Sequence, residues 1–289
     1  MNTASSLGNL KHQRPEWTPW LAVVEVALRE SDERVWADAV PAMPATSGAA
    51  PRLAGATLTL RRTAVDSYFE RLLQAGSKSG TREMATLGSA SARSLDALVV
   101  FRAALCQEPG DITQAAVRCG VDPDALQAVA ALVPVPFLQA CNRSWGAPPD
   151  WVEPYCPVCG SWPAFTEVRG IERSRHYRCG RCGSEWHAHG LSCPFCATTD
   201  HQDLVRLVPG DPGASSAVEA CRRCLGYVKT FNRLQGCPPA AVMIEDLGGV
   251  ALDLASLEQG YARPSTAGYA IDVTISEAPA GRRFLAWNA

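Results

Sequence analysis

The sequence predicts an α+β fold, in which an all-helical N-terminal region precedes two small rubredoxin-like or zinc-ribbon modules and a C-terminal helix. Three observations support this prediction. Apolar residues recur at helical spacing through the first 140 positions, a stretch rich in proline follows, and the next stretch contains four Cys-x-x-Cys pairs. The chain has 289 residues and 12 cysteines, a length that allows one large domain or two ordinary ones.

Composition and charge place the chain among ordinary globular proteins. Apolar residues make up 47% of it, which is enough for a buried core. Its 27 basic and 29 acidic residues give a net charge of −2, which argues against a polycation wrapped on nucleic acid but leaves room for a local basic patch.

The N-terminal segment and the apolar runs bear on the compartment. Residues 1–17 lack the charged-then-apolar pattern of a signal peptide. The longest nearly apolar run, 128–138, is shorter than the ~20 residues that cross a bilayer, and proline interrupts it. We therefore expect a soluble, cytoplasmic protein, in which clustered cysteines favour metal binding over disulfides.

The first half should consist of helices joined by loops. Apolar residues at three- and four-residue spacing predict helices over 20–28, 58–73 and 95–105. The stretch 41–55, rich in proline, alanine and glycine, is predicted to be a loop, and the proline-rich stretch 146–154 is predicted to be a linker.

Two further helix starts can be predicted from capping residues. Asp111 followed by Gln114 is compatible with a capping box, and Asp122 before Pro123 is a stronger start signal, because proline lacks the N–H that would have no partner there. The prolines at 134 and 136 are expected to end the second of these helices.

The second half should contain short strands and one helix. Val205, Leu207 and Val218 indicate strands, whereas Asp246 could cap a helix that runs to about Gln259. The tail after 264 has no clear pattern. We therefore divide the chain into a helical domain at 1–150, a first metal-binding module at 151–190, a second module with the C-terminal helix at 191–264, and a tail at 265–289.

Eight cysteines form the predicted metal sites. They are Cys156, Cys159, Cys179, Cys182, Cys193, Cys196, Cys221 and Cys224. Nineteen residues separate the first two pairs and 24 the last two, so two sequential four-cysteine sites are favoured, and an interleaved arrangement stays open. Four thiolates fit tetrahedral Zn²⁺ or a single iron ion, so we expect two metal ions per chain, either iron or zinc.

The residue after each pair bears on the shape of the turn. Glycine there allows a left-handed conformation that directs backbone amides at sulfur, and Gly160 and Gly183 occupy two of these positions. Ala197 and Leu225 occupy the other two, so the second site is expected to depart from this geometry.

Catalytic interpretations of the cysteines are less favoured. A thioredoxin-like Cys-x-x-Cys usually occurs once, and a catalytic metal keeps an open position that four cysteines would close. We therefore predict no catalytic residues and no enzyme activity. The remaining cysteines, Cys106, Cys119, Cys141 and Cys237, are expected in the core, and His187 and His189 are expected to be surface or packing residues.

A basic stretch lies beside the predicted metal sites. Positions 169–185 contain five arginines, at 169, 173, 175, 178 and 181, and two glutamates, a local charge of +3. These arginines could compensate the anionic thiolate sites, or they could bind a protein partner or nucleic acid.

Several motifs together carry a resemblance to a known family. They are Cys-Pro-Val-Cys-Gly-Ser at 156–161 with Pro163; Tyr-Arg-Cys at 177–179 continuing through Cys182 to Trp186; Cys-Pro-Phe-Cys at 193–196; Cys221 and Cys224 followed by Tyr227 and Lys229; and Asp-Leu at 246–247 continuing to Glu258 and Gly-Tyr-Ala-Arg at 260–263. Over about 155–264 the chain resembles the formate dehydrogenase accessory protein family FdhE. Gly190 and Leu225 depart from the family pattern, which often has arginine and glycine there.

The resemblance implies a helical region followed by two rubredoxin-like modules, with the eight cysteines as metal ligands. It also implies an accessory role in the maturation of formate dehydrogenase, through binding of its catalytic subunit in the cytoplasm before twin-arginine export. A nucleic-acid-binding zinc ribbon and a rubredoxin-like electron carrier are the alternatives. The residues that bind a partner cannot be assigned from the sequence, and we expect neither nucleic acid nor membrane insertion.

Overall fold

The computed structural model describes residues 3–44, 48–89, 91–188, 190–210 and 215–279. Helices form the first half: α1 Thr3–Gln13, α2 Thr18–Glu30, α3 Arg34–Asp38, α4 Arg62–Ser77, α5 Arg82–Ala85, α6 Ala97–Cys106, α7 Pro109–Arg118, α8 Pro123–Ala130 and α9 Val135–Trp145. The second half adds α10 Val242–Gly248 and α11 Val250–Glu258. The strands are β1 Thr57–Leu60, β2 Phe165–Arg169, β3 Ser174–Arg178, β4 Glu185–His187, β5 Leu204–Leu207, β6 Ser216–Cys221, β7 Tyr227–Arg233 and β8 Thr274–Glu277. This mixture confirms the predicted fold class.

Aromatic side chains fill the centre of the helical region. Trp36 on α3 packs edge-on against Tyr68 on α4 and is stacked on Phe101 on α6, at ring-centroid distances of 5.8 and 6.2 Å. Phe101 in turn contacts Phe137 on α9 at 5.9 Å. Because these four side chains are almost fully buried, they tie together helices that are distant in sequence.

The capping predictions had different outcomes. Asp122 does cap α8, where its carboxylate accepts a hydrogen bond from the backbone N–H of Ala125 at 2.9 Å. The Asp111 capping box is wrong, because α7 begins at Pro109 and Asp111 already lies in its first turn. Pro134 and Pro136 do not end α8, which stops at Ala130; Pro136 instead lies in the first turn of α9.

The first half also contains one strand where the sequence predicted helix. Residues 57–60 alternate between exposed and buried, as a strand does, and α4 begins only at Arg62. The strand β1 pairs in parallel with β8, with Leu58 opposite Ile275. The segment after 264 therefore returns to the helical region.

Both cysteine-rich segments contribute to a single six-stranded sheet. Its strand order is β4-β3-β2-β7-β6-β5, and all neighbours are antiparallel except β2 and β7, which are parallel. The strands β2–β4 come from the predicted first module and β5–β7 from the second. The sheet therefore joins the two modules through the β2–β7 pair.

The predicted helix from Asp246 to Gln259 is two helices that meet at Gly249. A Cβ atom on Gly249 would lie 3.0 Å from the ring of Phe231 and 3.2 Å from the side chain of Lys229, so the chain passes close to the sheet at this point. Asp246 does not cap a helix; its carboxylate accepts hydrogen bonds from Arg263 and pairs with Lys229.

The predicted loop at 41–55 has no helix or strand over 41–44 and 48–55, and positions 45–47 lie outside the described residues. This loop contacts the first cysteine pair: the backbone N–H groups of Arg52 and Leu53 donate to the carbonyl oxygens of Pro157 and Val158, at 2.8 and 3.1 Å. The largest buried core accordingly contains both the helices of the first half and the first four paired cysteines.

One stretch, Pro123–Trp145, is long and apolar enough to cross a membrane by length and composition. It comprises α8 and α9 with a turn between them, and 78% of its most apolar window is buried inside the protein. Its apolar character is therefore explained by its position in the core.

Candidate metal centres

The eight predicted ligands form two groups of four. The first cluster is Cys156, Cys159, Cys179 and Cys182, and the second cluster is Cys193, Cys196, Cys221 and Cys224. Within each cluster the four sulfur atoms lie within 4.8 Å of one another. The pairing is therefore sequential, as favoured from the spacing, and the interleaved arrangement is not the one formed.

The sulfur positions fit a tetrahedral metal ion. In the first cluster Cys156 Sγ lies 3.4 Å from Cys182 Sγ, and in the second cluster Cys193 Sγ lies 3.6 Å from Cys224 Sγ. A metal–sulfur bond of about 2.3 Å in a regular tetrahedron separates the sulfurs by about 3.8 Å. Both clusters could therefore hold a metal ion with small adjustments, and the donor set suits zinc and iron equally.

Backbone N–H groups approach the sulfurs of the first cluster. Those of Val158 and Ser184 donate to the sulfurs of Cys156 and Cys182, each at 3.4 Å. These hydrogen bonds favour the thiolate, the form that binds metal.

Burial and the contacts between neighbouring thiols both change the pKa values of the cluster cysteines. Burial raises the pKa of Cys156 and Cys182, whereas hydrogen bonds from the neighbouring thiols lower the pKa of Cys159. In the second cluster burial raises the pKa of Cys193. Four adjacent thiolates need a cation to offset their charge, so metal binding would release protons from both clusters.

All four Cys-x-x-Cys turns share one backbone conformation, contrary to the expectation for the second cluster. Gly160 and Gly183 have φ angles of +71° and +76°. Ala197 and Leu225 have φ angles of +57° and +58°, so they adopt the same left-handed turn without glycine. Such a conformation costs a non-glycine residue about 1–2 kcal/mol.

Neighbouring atoms explain why glycine is required in only one cluster. A Cβ atom on Gly160 would lie 2.5 Å from the carbonyl oxygen of Tyr269, and one on Gly183 would lie 2.5 Å from that of Pro239. Ala197 and Leu225 are exposed, so their side chains extend into solvent. Packing against the rest of the protein, rather than the turn itself, therefore excludes a side chain at the first cluster.

The two clusters differ in burial. All four sulfur-bearing residues of the first cluster are completely buried. In the second cluster Cys224 is exposed and Cys196 is half-buried. Between the clusters the ring of Trp162 contacts that of Phe195 edge-on at 5.3 Å, so the turn of the second cluster packs against the segment that follows Cys159.

Arg181 connects the first cluster to the helical region. Its guanidinium donates to the carbonyl oxygen of Ala104 at 2.5 Å and to the hydroxyl of Ser161 at 3.2 Å. Ser161 Oγ also lies 3.4 Å from the sulfur of Cys159, and the charge of Arg181 contributes to the lowered pKa of that thiol. This arginine therefore both compensates the cluster and joins it to the last turn of α6.

Most of the predicted basic patch is not available as a surface. Arg178 is buried and donates to Glu167 at 3.0 Å, Arg169 binds Glu185, and Arg175 binds Glu219. Three of the five arginines are therefore in ion pairs, and Arg181 donates hydrogen bonds to α6. Arg173 is the fifth, and it is exposed. The +3 stretch therefore contributes chiefly to packing of the sheet, which removes the main support for a nucleic-acid surface.

Three of the four remaining cysteines are buried as expected, and the fourth is not. Cys106, Cys141 and Cys237 are buried, and Cys119 is half-buried. The imidazole of His187 packs against that of His176 at 4.6 Å, and His189 lies outside the described residues.

Sequence reasoning missed a buried ion-pair network between the sheet and the two C-terminal helices. Lys229 on β7 is fully buried, and its ammonium lies 2.7 Å from Asp246 Oδ1 and 2.8 Å from Asp253 Oδ2. Arg263 pairs with the same two carboxylates, and the hydroxyl of Tyr227 donates to Asp253 at 2.7 Å. Four of these five residues, all except Asp253, are named in the family-like motifs. Their presence there was the one sequence signal that could have indicated the network.

The chain is similar to known proteins in part of its sequence and in its fold. No family model matches the chain. Over 116 residues the chain is 35% identical to a protein FdhE homolog from Pseudomonas aeruginosa, a match that covers 38% of this chain and 37% of the relative. Protein FdhE from Escherichia coli O127:H6 is 31% identical over 113 residues, covering 38% and 36%, and an FdhE homolog from Aquifex aeolicus is 30% identical over 115 residues, covering 38% and 40%. The aligned region thus spans well under half the length of these relatives.

The fold comparison covers nearly the whole chain. The crystal structure of the FdhE protein from Pseudomonas aeruginosa matches with a TM-score of 0.58, covering 96% of this chain and 95% of that one at 22% sequence identity. The likeness shows that the two proteins share a fold.

The structure defines a class of protein in which a helical region is joined to one sheet that carries two four-cysteine groups able to hold metal ions. Within that class the chain is similar in sequence to proteins named FdhE and shares the fold of the FdhE protein from Pseudomonas aeruginosa.

Proposed function

We propose that this protein is a non-enzymatic accessory factor that binds the catalytic subunit of a formate dehydrogenase in the cytoplasm, before that subunit is exported by the twin-arginine route. The observation that carries the proposal is the combination of two closed four-cysteine clusters with the FdhE fold. The family-like motifs at 155–264 supply the link to formate dehydrogenase. We further propose that the eight cluster cysteines are the metal ligands, and that residue 150 separates the helical part of the sequence from the metal-binding part within one shared core.

The ligand sets of the two clusters favour a structural role, in which the metal ions stabilise a surface that a partner binds. Four cysteines complete the tetrahedral coordination of a metal ion, so neither cluster offers a free position for a substrate. The first cluster is enclosed by the segments that carry Tyr269 and Pro239. A metal ion there would hold together the sheet and the helical region, and the assembled surface would be what a partner binds.

The proposal is tested by complementation and co-purification. A host lacking the chromosomal gene would express either the tagged wild-type protein, Cys156→Ser, or the control Cys119→Ser, which changes a half-buried cysteine outside both clusters. We expect formate dehydrogenase activity, and retention of its catalytic subunit, with the wild-type protein and the control but not with Cys156→Ser.

Equal activity with and without the gene would contradict the accessory role. The two alternative functions have their own signatures. Salt-dependent binding of DNA or RNA without retention of a dehydrogenase subunit would favour a nucleic-acid-binding protein. A ferric–thiolate spectrum that bleaches reversibly at a physiological potential would favour an electron carrier.

A further inference from the structure

A cleft separates one face of the sheet from the turn that carries the first cysteine pair of the second cluster. Its volume is about 540 Å³, within the range of ligand-binding pockets. Strand residues such as Val168 and Leu204 line one side of it. Leu191, Pro194 and Phe195 line the other side, next to Cys193. The cleft therefore adjoins the second cluster, and no residue of the first cluster lines it.

Apolar surface extends along this region. Leu191 is 71% exposed, and Val208, which directly follows β5, is 66% exposed. The strand β5 is the last in the sheet, and within the described residues its outer edge pairs with no other strand. Three consecutive residues of this edge strand, Leu204, Val205 and Arg206, line the cleft. An extended chain could therefore pair with the free edge and place side chains in the cleft.

The charges around the cleft favour an acidic occupant. Among the described residues that line it, Glu219 is the one carboxylate, and it accepts two hydrogen bonds from Arg175, at 2.8 and 2.5 Å. Arg173 and Arg206 also line the cleft; both are exposed, and neither guanidinium has a hydrogen bond or ion pair within the described part of the chain. The cleft thus presents two unpaired positive charges beside an apolar lining.

From this combination we propose that the cleft binds an extended peptide segment of a protein partner, in which every second residue faces the cleft and these residues include both apolar and acidic side chains. The segment would pair with the outer edge of β5, place apolar side chains against Leu191 and Phe195, and place carboxylates near Arg173 and Arg206. If the proposed function is correct, this segment belongs to the formate dehydrogenase subunit; the peptide-binding property itself is testable without that assumption.

The test uses fluorescence anisotropy with the full-length, metal-loaded protein. The probe is a fluorescein-labelled peptide of about ten residues, the length of a long strand, in which leucine and glutamate take turns at every second position and threonine occupies the positions between them. Two control peptides replace every glutamate with lysine, or replace alternate apolar residues with proline to prevent strand pairing. We expect saturable binding of the acidic probe at low salt and at least tenfold weaker binding of both controls.

Substitutions then locate the binding site. Arg206→Glu should weaken binding of the acidic probe about three- to tenfold, and Leu191→Gln should weaken it severalfold. The matched control is Arg118→Glu, an exposed arginine on α7 that lies outside the cleft, and it should leave the affinity unchanged. Equal affinity for the acidic and basic peptides, or equal loss in Arg118→Glu and Arg206→Glu, would overturn the proposal.

The same variants separate this inference from the proposed function. If Arg206→Glu weakens peptide binding but the dehydrogenase subunit is never retained, the cleft is a peptide site and the proposed function fails. If the wild-type protein retains the subunit but binds the acidic probe no better than the controls, the proposed function survives and this inference fails.

Discussion

The two four-cysteine clusters use the same turn in different surroundings. In the first cluster every ligand is buried, the loop at 41–55 and the segment around Tyr269 pack against its turns, and its cysteines share a core with the helices. In the second cluster Cys224 is exposed, and two of its turns carry side chains that face solvent. The difference indicates that the first cluster is part of the main core, whereas the second lies at the surface beside a cleft.

The comparison also explains the residues that follow each cysteine pair. The left-handed turn occurs four times, with glycine twice, alanine once and leucine once. Glycine is found where a Cβ atom would collide with a backbone carbonyl group, and other residues are found where the side chain points outward. A residue other than glycine after a cysteine pair therefore indicates that the turn is exposed to solvent. It does not indicate that the metal site is distorted.

Loss of a ligand from each cluster should give the largest contrast. We expect Cys156→Ser to release metal and to prevent the sheet from folding, because structural zinc contributes about 10–16 kcal/mol in small domains, as much as the stability of a whole domain. The helices should melt in the same transition, because they share a core with this cluster. Cys224→Ser should lose one ion and keep a cooperative transition at a lower temperature.

Circular dichroism melting combined with metal analysis measures both effects. Cys119→Ser serves as the control for loss of a thiol. Equal losses of stability in Cys156→Ser and Cys224→Ser would contradict the difference between the clusters.

A methyl group added to one turn should have the next largest effect. Gly183→Ala would place a Cβ atom 2.5 Å from the carbonyl oxygen of Pro239, at a residue with φ +76°. We expect it to lower the free energy of unfolding by about 3 kcal/mol or more, through the collision together with the strained backbone. Gly210→Ala is the control, because no atom of the described residues lies within 4 Å of its Cβ position, and denaturant titration is the measurement. Similar unfolding midpoints for the two variants would refute the packing explanation.

A buried carboxylate on β2 makes stability depend on pH. Burial would raise the pKa of Glu167, but hydrogen bonds from Arg169 and from the backbone N–H of Cys237, with the charge of Arg178, lower it to about 2. Since its usual pKa is 4.5, the stabilisation is complete above pH 4.5 and is lost as the pH falls towards about 2.

Glu167→Gln should therefore cost about 3 kcal/mol at pH 7, because it removes the shorter ion pair of the buried Arg178 and leaves only the one to Glu185, at 3.5 Å. The difference in unfolding free energy between this variant and the wild-type protein should narrow as the pH falls below 4.5. Unfolding titrations at several pH values measure it, and a difference that stays constant down to about pH 3 would be inconsistent with the lowered pKa.

The smallest effect is expected at the exposed turn. Leu225→Gly should raise the free energy of unfolding by up to about 1 kcal/mol, because glycine relieves the left-handed strain while losing more entropy on folding. Denaturant titration measures this change as a higher unfolding midpoint. The control is Leu234→Gly, at an exposed leucine outside any left-handed turn, which should not raise the midpoint. Marked destabilisation by Leu225→Gly would mean that this side chain makes a contact that matters for stability.

The cysteine pattern predicted the two sites better than it predicted their surroundings. The spacing predicted the ligand groups and favoured their sequential pairing because a Cys-x-x-Cys turn is a local structure. The β2–β7 pairing and the network around Lys229 depend on residues far apart in sequence, so no local pattern indicated them. The strand at 57–60 was mistaken for helix because its apolar residues, Leu58 and Leu60, also fit the helical spacing that follows.

The central claim is that the chain binds two metal ions, one held by the core and one held at the surface. Native mass spectrometry during exposure to a chelator measures this directly. We predict two ions per chain at the start, fast loss of one with the fold retained, and loss of the second only when the chain unfolds; Cys224→Ser should lack the fast phase. A single ion at the start, or simultaneous release of both ions from the folded protein, would contradict the claim.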